Sequence, residues 1–219
     1  MQLRRTYIYS LLATGFMAGY GAPALADDRA EFLKLMADPD VQKHVMEAAK
    51  HSTAMRINPC PAAEFNIQRQ YSVYQPAIFD RDAHILSGAW KQVVAESGCG
   101  ENRLLNVFLM VDNKEHMLKV FPVLPGTTHA DPLLQKDSMI YVAMASVQPE
   151  DKECKTQYVS DTEFLKEAGK PMEGVKTPPW DELWTMSICT KKAQVTMHFI
   201  PDKTGTTIRA SMQETKFIK

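Results

Sequence analysis

The sequence predicts an α+β fold of mainly antiparallel sheet, with N-terminal and central helices and two related halves. Three observations carry this. Strand-like runs are joined by hairpin-length turns, which favours antiparallel pairing. Helical patterning is confined to the start and the middle of the chain. And one spacing occurs twice: Trp90 lies nine residues before Cys99 and twenty-two before Asp112, and Trp180, Cys189 and Asp202 repeat both intervals without a gap. Ser97 matches Ser187 in that alignment, and apolar positions match at Leu105/Val195, Val107/Met197 and Leu109/Phe199. Self-similarity at a fixed offset is an architectural signal and predicts two copies of one cysteine-bearing strand pair.

The chain has 219 residues. Arg4 and Arg5, the apolar run from Tyr7 to Tyr20 and the small-x-small site Ala24-Leu25-Ala26 read as a secretory signal covering residues 1–26. Two of the 25 basic residues lie in it, so 23 basic residues face 26 acidic ones in the mature chain, a balance of −3. That near-neutral charge argues against a nucleic-acid partner. No later stretch is apolar enough for an integral membrane segment. The expected location is periplasmic or secreted. The expected organisation is an N-terminal unit of helices and first strand pair over 27–150, then a second strand pair over 151–219.

The mature start is helical through Ala37, with Phe32, Leu33, Leu35 and Met36 apolar. Asp38-Pro39-Asp40 restarts a helix, because Asp38 can cap it, proline fits its first position and Asp40 suits its positive end. Val41, Val45, Ala48, Ala49 and Met55 continue the face until Asn58-Pro59. Phe65, Ile67, Tyr71 and Val73 alternate as a strand that Gln75-Pro76 breaks. Ala89–Ser97, Leu104–Val111 and Met117–Leu124 are further strands, with a hairpin turn at Asp112-Asn113-Lys114. Asp131 caps a second clear helix, with Pro132 in its first turn and an apolar face of Leu133, Leu134, Ile140, Tyr141, Met144 and Val147. Cys154–Val159 reads as a strand and Thr162–Ala168 as a short helix. Gly169–Pro179 is a loop. Trp180–Cys189, Ala193–Ile200 and Thr206–Met212 are three closing strands.

Cys60, Cys99, Cys154 and Cys189 all fall in the mature chain. An even count in an exported protein favours disulfides, and without a close C-x-x-C pair zinc is disfavoured. Duplicated halves pair them as Cys60–Cys99 and Cys154–Cys189.

Trp180-Asp181-Glu182-Leu183-Trp184, then Cys189, then Phe199-Ile200-Pro201-Asp202 and Gly205-Thr206 resemble the C-terminal pattern of small, exported, uncharacterised proteobacterial proteins. Leu124-Pro125-Gly126-Thr127-Thr128 with Asp131-Pro132 is similar to the middle of the same group. The resemblance covers about a third of the chain, and Thr190 stands where that pattern has glycine. It implies an exported bacterial protein and carries no activity.

Candidate sites are few. Thr128 and His129 precede a helix N-terminus, where unpaired backbone N–H groups suit an anion; the competing reading is a loop capped by Asp131. His44, His51 and Met55 share one helical face with thioether and imidazole donors that suit copper, although His44 and His51 stand two turns apart. Trp184 lies on a strand and is either core or an exposed binding aromatic. Acidic pairs such as Asp80/Asp82 and Asp181/Glu182 read as solvated. No nucleophile elbow, zinc-protease or Ser-x-x-Lys motif is present, so no catalytic residue and no cofactor is expected. The expected role is a non-enzymatic, exported protein that binds an unknown protein or small molecule or serves the envelope. The alternatives are a periplasmic copper handler and a hydrolase.

Overall fold

The computed structural model describes residues 24–218 except 99, 101 and 113. It is α+β, with two four-stranded antiparallel sheets, each a sequential meander. Helices α1 (Ala24–Ala37), α2 (Pro39–Lys50) and α3 (Thr53–Ile57) come first. The first sheet follows as β1 (Glu64–Phe79), β2 (Ile85–Ser97), β3 (Arg103–Val111) and β4 (Leu118–Val123). Then come α4 (Pro132–Ser146), a 3₁₀ turn at Pro149–Glu153, and the second sheet, β5 (Gln157–Glu167), β6 (Trp180–Ile188), β7 (Lys191–Pro201) and β8 (Thr206–Ile218). Among the described residues no helix is long and apolar enough to cross a membrane. The expected signal at residues 1–26 falls almost wholly outside the described residues.

Each sheet has its own core. α1 and α2 pack Phe32, Met36, Val45 and Ala49 against Trp90, Val94, Leu105, Val107 and Leu109. α4 packs Val142 and Ala145 against Trp180, Trp184, Met186, Val195, Met197 and Phe199. The repeated spacing has a direct structural expression. Trp90 lies opposite Leu109 and Val94 opposite Leu105; ninety residues later, Trp180 lies opposite Phe199 and Trp184 opposite Val195. The two central hairpins therefore share one register.

Caps form as the sequence requires. The Asp38 side chain accepts from the N–H groups of Asp40 and Val41, and that of Asp131 from Leu134. Four expectations fail, each for an identifiable reason. The helix begun at Pro39 stops at His51, because Ser52 is extended, and restarts as the short α3. Pro76 does not end β1, because β1 is an edge strand with several register shifts, where a missing N–H costs no ladder bond. Thr162–Ala168 is not a helix: through Glu167 it is strand β5, with two register shifts that hide its alternation.

The fourth failure concerns the buried face of α4. The helix buries Gln135, Ser138, Val142, Ala145 and Ser146, and leaves Leu133, Ile140 and Met144 exposed by 62–71%. Small residues let the helix lie close to the sheet. The hydroxyls of Ser138 and Ser146 bond the Leu134 and Val142 carbonyls, so their burial leaves no donor unpaired. α4 thus belongs to the core of the second sheet.

The Cys154–Cys189 disulfide forms as expected, with a Cα–Cα distance of 5.8 Å. It ties the 3₁₀ turn to the β6–β7 turn, where Lys191 also bonds Asp151 at 2.8 Å. Cys60 is also disulfide-bonded; its expected partner, Cys99, lies outside the described residues. The left-handed conformation in the β6–β7 turn falls on Cys189 (φ 50°), one residue before the position where glycine was expected. Replacing both Cys154 and Cys189 with serine is expected to destabilise the protein by about 3–4 kcal/mol, as expected for a loop of 35 residues. Urea unfolding of oxidised protein and of the double variant measures it; equal midpoints would refute it.

Candidate functional site

The segment after β4, residues 124–131, runs between the sheets and is bonded to both. Gly126 donates its N–H to Leu104 O on β3, and its carbonyl accepts from Asn106. Thr127 donates to Thr162 O on β5, and its hydroxyl accepts from Phe164 N. Thr128 is fully buried: its N–H meets the Thr162 hydroxyl, and its carbonyl accepts from Lys91 Nζ at 2.8 Å.

Glu182 lies at the centre of this junction and is fully buried. It accepts three N–H groups at 2.8 Å: the indoles of Trp180 and Trp184, and the backbone of His129. Trp180, Glu182 and Trp184 alternate along one face of β6, so the carboxylate sits between two indoles. Lys91 enters from β2 on the opposite sheet and is only 6% exposed. Burial holds its amine below the usual lysine range, and the Glu182 charge opposes that shift. The Tyr74 phenol is pushed up to about 12, first by burial and then by the Asp131 and Glu182 carboxylates. The His129 ring stacks on Phe164 at 4.0 Å. Burial lowers its pKa, so the ring is neutral near pH 7.

These groups hold the two halves together. The α4 N-terminus is closed by its own residue, Asp131, leaving the expected anion position to a carboxylate of the chain. Of the candidate binding residues Thr128 and His129, Thr128 is unreachable from solvent. Trp184 is core, fully buried against Phe199. Asp181 and Glu182, read as a solvated pair, are both buried, on opposite faces of β6. Asp80 and Asp82 remain exposed as expected, with Asp80 capping the β1–β2 turn by accepting from Asp82 N and His84 N.

The copper candidates do not converge. His44 and His51 are exposed, each with Nδ1 on a backbone carbonyl one turn back, whereas Met55 is buried in the first core.

On the outer face of the second sheet the sequence singled out only Asp181, as half of a solvated pair. α4 packs Val142 and Ala145 on the inner face. The outer face alternates Asp181, Leu183, Thr185 and Ser187 on β6 with Gln194, Thr196 and His198 on β7. Two cavities open there. One, of about 650 Å³, lies where this face meets the first half, between Asn58 and Arg103 on one side and Thr185, Ser187 and Gln194 on the other. Asn58 Nδ2 donates to the Tyr158 hydroxyl across this junction at 2.7 Å.

The other cavity, of about 750 Å³, lies at the far end around Asp181, His198, Arg209 and Glu214, with Tyr141 of α4 on its wall. His198 Nδ1 is 2.7 Å from Asp181 Oδ1, and Nε2 is 3.3 Å from Glu214 Oε2. Burial depresses the His198 pKa, but the two carboxylates outweigh it and leave the pKa raised. Strand alternation could have placed Asp181 and His198 on one face. Glu214 could not have been placed, because it sits in a bulge of β8.

Compared with protein-family models, with curated proteins and with solved structures, the chain matches none.

Proposed function

We propose that this is an exported binding protein that works without catalysis and holds a polar, hydrogen-bonding ligand in the cavity between the halves. The observation that carries the reading is the wall chemistry of that cavity: Thr185, Ser187, Gln194 and Asn58 bring hydroxyls and amides to it beside the charged side chains of Arg103, Asp161, Glu163, Lys191 and Lys192, and its volume suits a small ligand or a short segment of a larger one. In the far cavity Asp181, His198 and Glu214 are bonded to one another, and in the junction Glu182 accepts three N–H groups while Lys91 donates to a carbonyl, which suits these groups to holding the fold rather than to attacking a substrate. The leader-like residues 1–26 and the disulfides support an oxidising compartment. The shared register of the two hairpins supports descent of the halves from one duplicated unit.

A panel of oligosaccharides and of short polar peptides, neutral and charged, screened by ligand-observed NMR, tests the binding. A ligand found this way is expected to lose about tenfold or more in affinity in a Thr185→Val/Gln194→Leu double variant, because two hydrogen bonds worth about 1 kcal/mol each are removed. An unchanged affinity would place the ligand elsewhere and overturn the reading. Export is tested separately, by sequencing the N-terminus of envelope-fraction protein: a start at Asp27 supports it, and a retained Met1 in the cytosol refutes it.

A further inference from the structure

The β8 register jumps between its pairings with β7. Met197 lies opposite Ala210, but Val195 lies opposite Thr215. Residues 211–214 therefore bulge out of the ladder. The bulge has its own local bonds, from Gln213 N to the Ser211 hydroxyl and from the Thr215 hydroxyl to Ser211 O. Glu214 ties the bulge to β7 through the His198 ring.

We propose that His198 is the pin of a proton-dependent clasp, whose doubly bonded imidazolium holds the β8 bulge against the sheet and whose deprotonation releases Glu214. The geometry decides which bond breaks. A neutral imidazole carries one N–H and one lone pair. Asp181 Oδ1 is closer, at 2.7 Å, and its side chain is 11% exposed; Glu214 is at 3.3 Å and 51% exposed. The remaining proton stays on Nδ1 toward Asp181. The Nε2 lone pair then faces the Glu214 carboxylate, and two acceptors repel.

The other charged and titratable groups around the ring leave this choice unchanged. Lys166 of β5 lies 3.8 Å from Asp181 Oδ2 and gives that carboxylate a second cation. Arg209 is the register partner of His198 on β8. Tyr141 of α4 shares the cavity wall. The sign follows from the raised histidine. The ordinary histidine value is about 6.5. The clasp is complete below that value and is lost as the pH rises through the higher folded one. The released bulge widens the 750 Å³ cavity at the neutral-to-alkaline end. This holds whether or not the cavity between the halves takes a ligand.

The test follows the His198 ring and the backbone amides of Ser211–Thr215 by NMR in the full oxidised chain from pH 5.5 to 9. The amides are expected to shift with the midpoint of the ring, and that midpoint to lie above the ordinary one. In Glu214→Gln the ring midpoint is expected to fall and the amide step to disappear, while resonances of α1, α2 and the first sheet stay in place and report an intact fold. Amides that do not follow the ring, or a midpoint unchanged by Glu214→Gln, would overturn the clasp.

Discussion

Replacing Glu182 with leucine is expected to destabilise the protein by about 3–5 kcal/mol, the range for breaking a buried charged network by removing one partner. Three N–H groups, from Trp180, Trp184 and His129, would be left in the core without an acceptor. Each such group costs about 1–3 kcal/mol, and the relief of no longer burying a carboxylate offsets part of the sum. Lys91 would also lose the charge that opposes its desolvation. Glu182→Gln keeps one oxygen but turns an amide N–H₂ toward an indole N–H, and should cost about 2 kcal/mol. Adding Lys91→Met to Glu182→Leu should recover part of the loss, since the two groups are electrostatically coupled and their effects are not additive. Urea unfolding of the four proteins measures this. A Glu182→Leu variant within about 0.5 kcal/mol of the parent would show that the carboxylate does not organise the junction.

The second large effect is expected at Gly126. Its φ is +95°, and a Cβ there would overlap the Thr162 carbonyl oxygen and stand 2.6 Å from the Thr162 nitrogen. The obstacle is backbone on a neighbouring strand, so the linker itself must move. Moving it strains the bonds from Gly126 to Leu104 and from Thr127 to Thr162 together. Gly126→Ala should cost about 3 kcal/mol or more, the sum of left-handed strain and a forced backbone shift. Gly174→Ala is the matched control. Its φ is +79°, but the added Cβ meets only the flexible end of Lys203, so only about 1 kcal/mol is expected. Limited proteolysis adds a positional readout: Gly126→Ala should admit cleavage within 124–131, and Gly174→Ala should not. Equal stability of the two variants would mean that the linker is not held between the sheets.

Local chemistry explains which parts of this architecture were legible in the sequence. Asp38 and Asp131 act within three residues of where they stand, so their caps could be read directly. The Cys154–Cys189 bridge and the shared hairpin register followed from a spacing that survives in both halves. What failed depends on partners distant in sequence. Pro76 looks like a breaker until β1 is known to be an edge strand. Thr162–Ala168 has helix-forming residues, but pairing with β6 overrides that preference. α4 faces inward with Ser138, Ala145 and Ser146, the two serines bonded back to their own helix, which no helical wheel reveals. Glu182 was invisible because nothing in Trp-Asp-Glu-Leu-Trp says that the middle carboxylate meets a backbone N–H fifty-three residues upstream. Ninety residues earlier its position holds Gln92, also buried; among the described residues its carbonyl oxygen finds no partner, and neither does the indole N–H of its neighbour Trp90. The halves share a register and differ in the polar group at its centre.

The meander order has a consequence for the time course of folding. Every strand pairs with its neighbour in sequence, so each sheet closes over short loops, and short-range contacts form quickly. A chain emerging from its N-terminus can complete β1–β4 and cover it with α1 and α2 before β8 exists. The linker amides that join Leu104 to Thr162 can then be matched only at the end, when the second sheet arrives. Assembly thus has a direction, in which the earlier half is the template on which the later one is fitted.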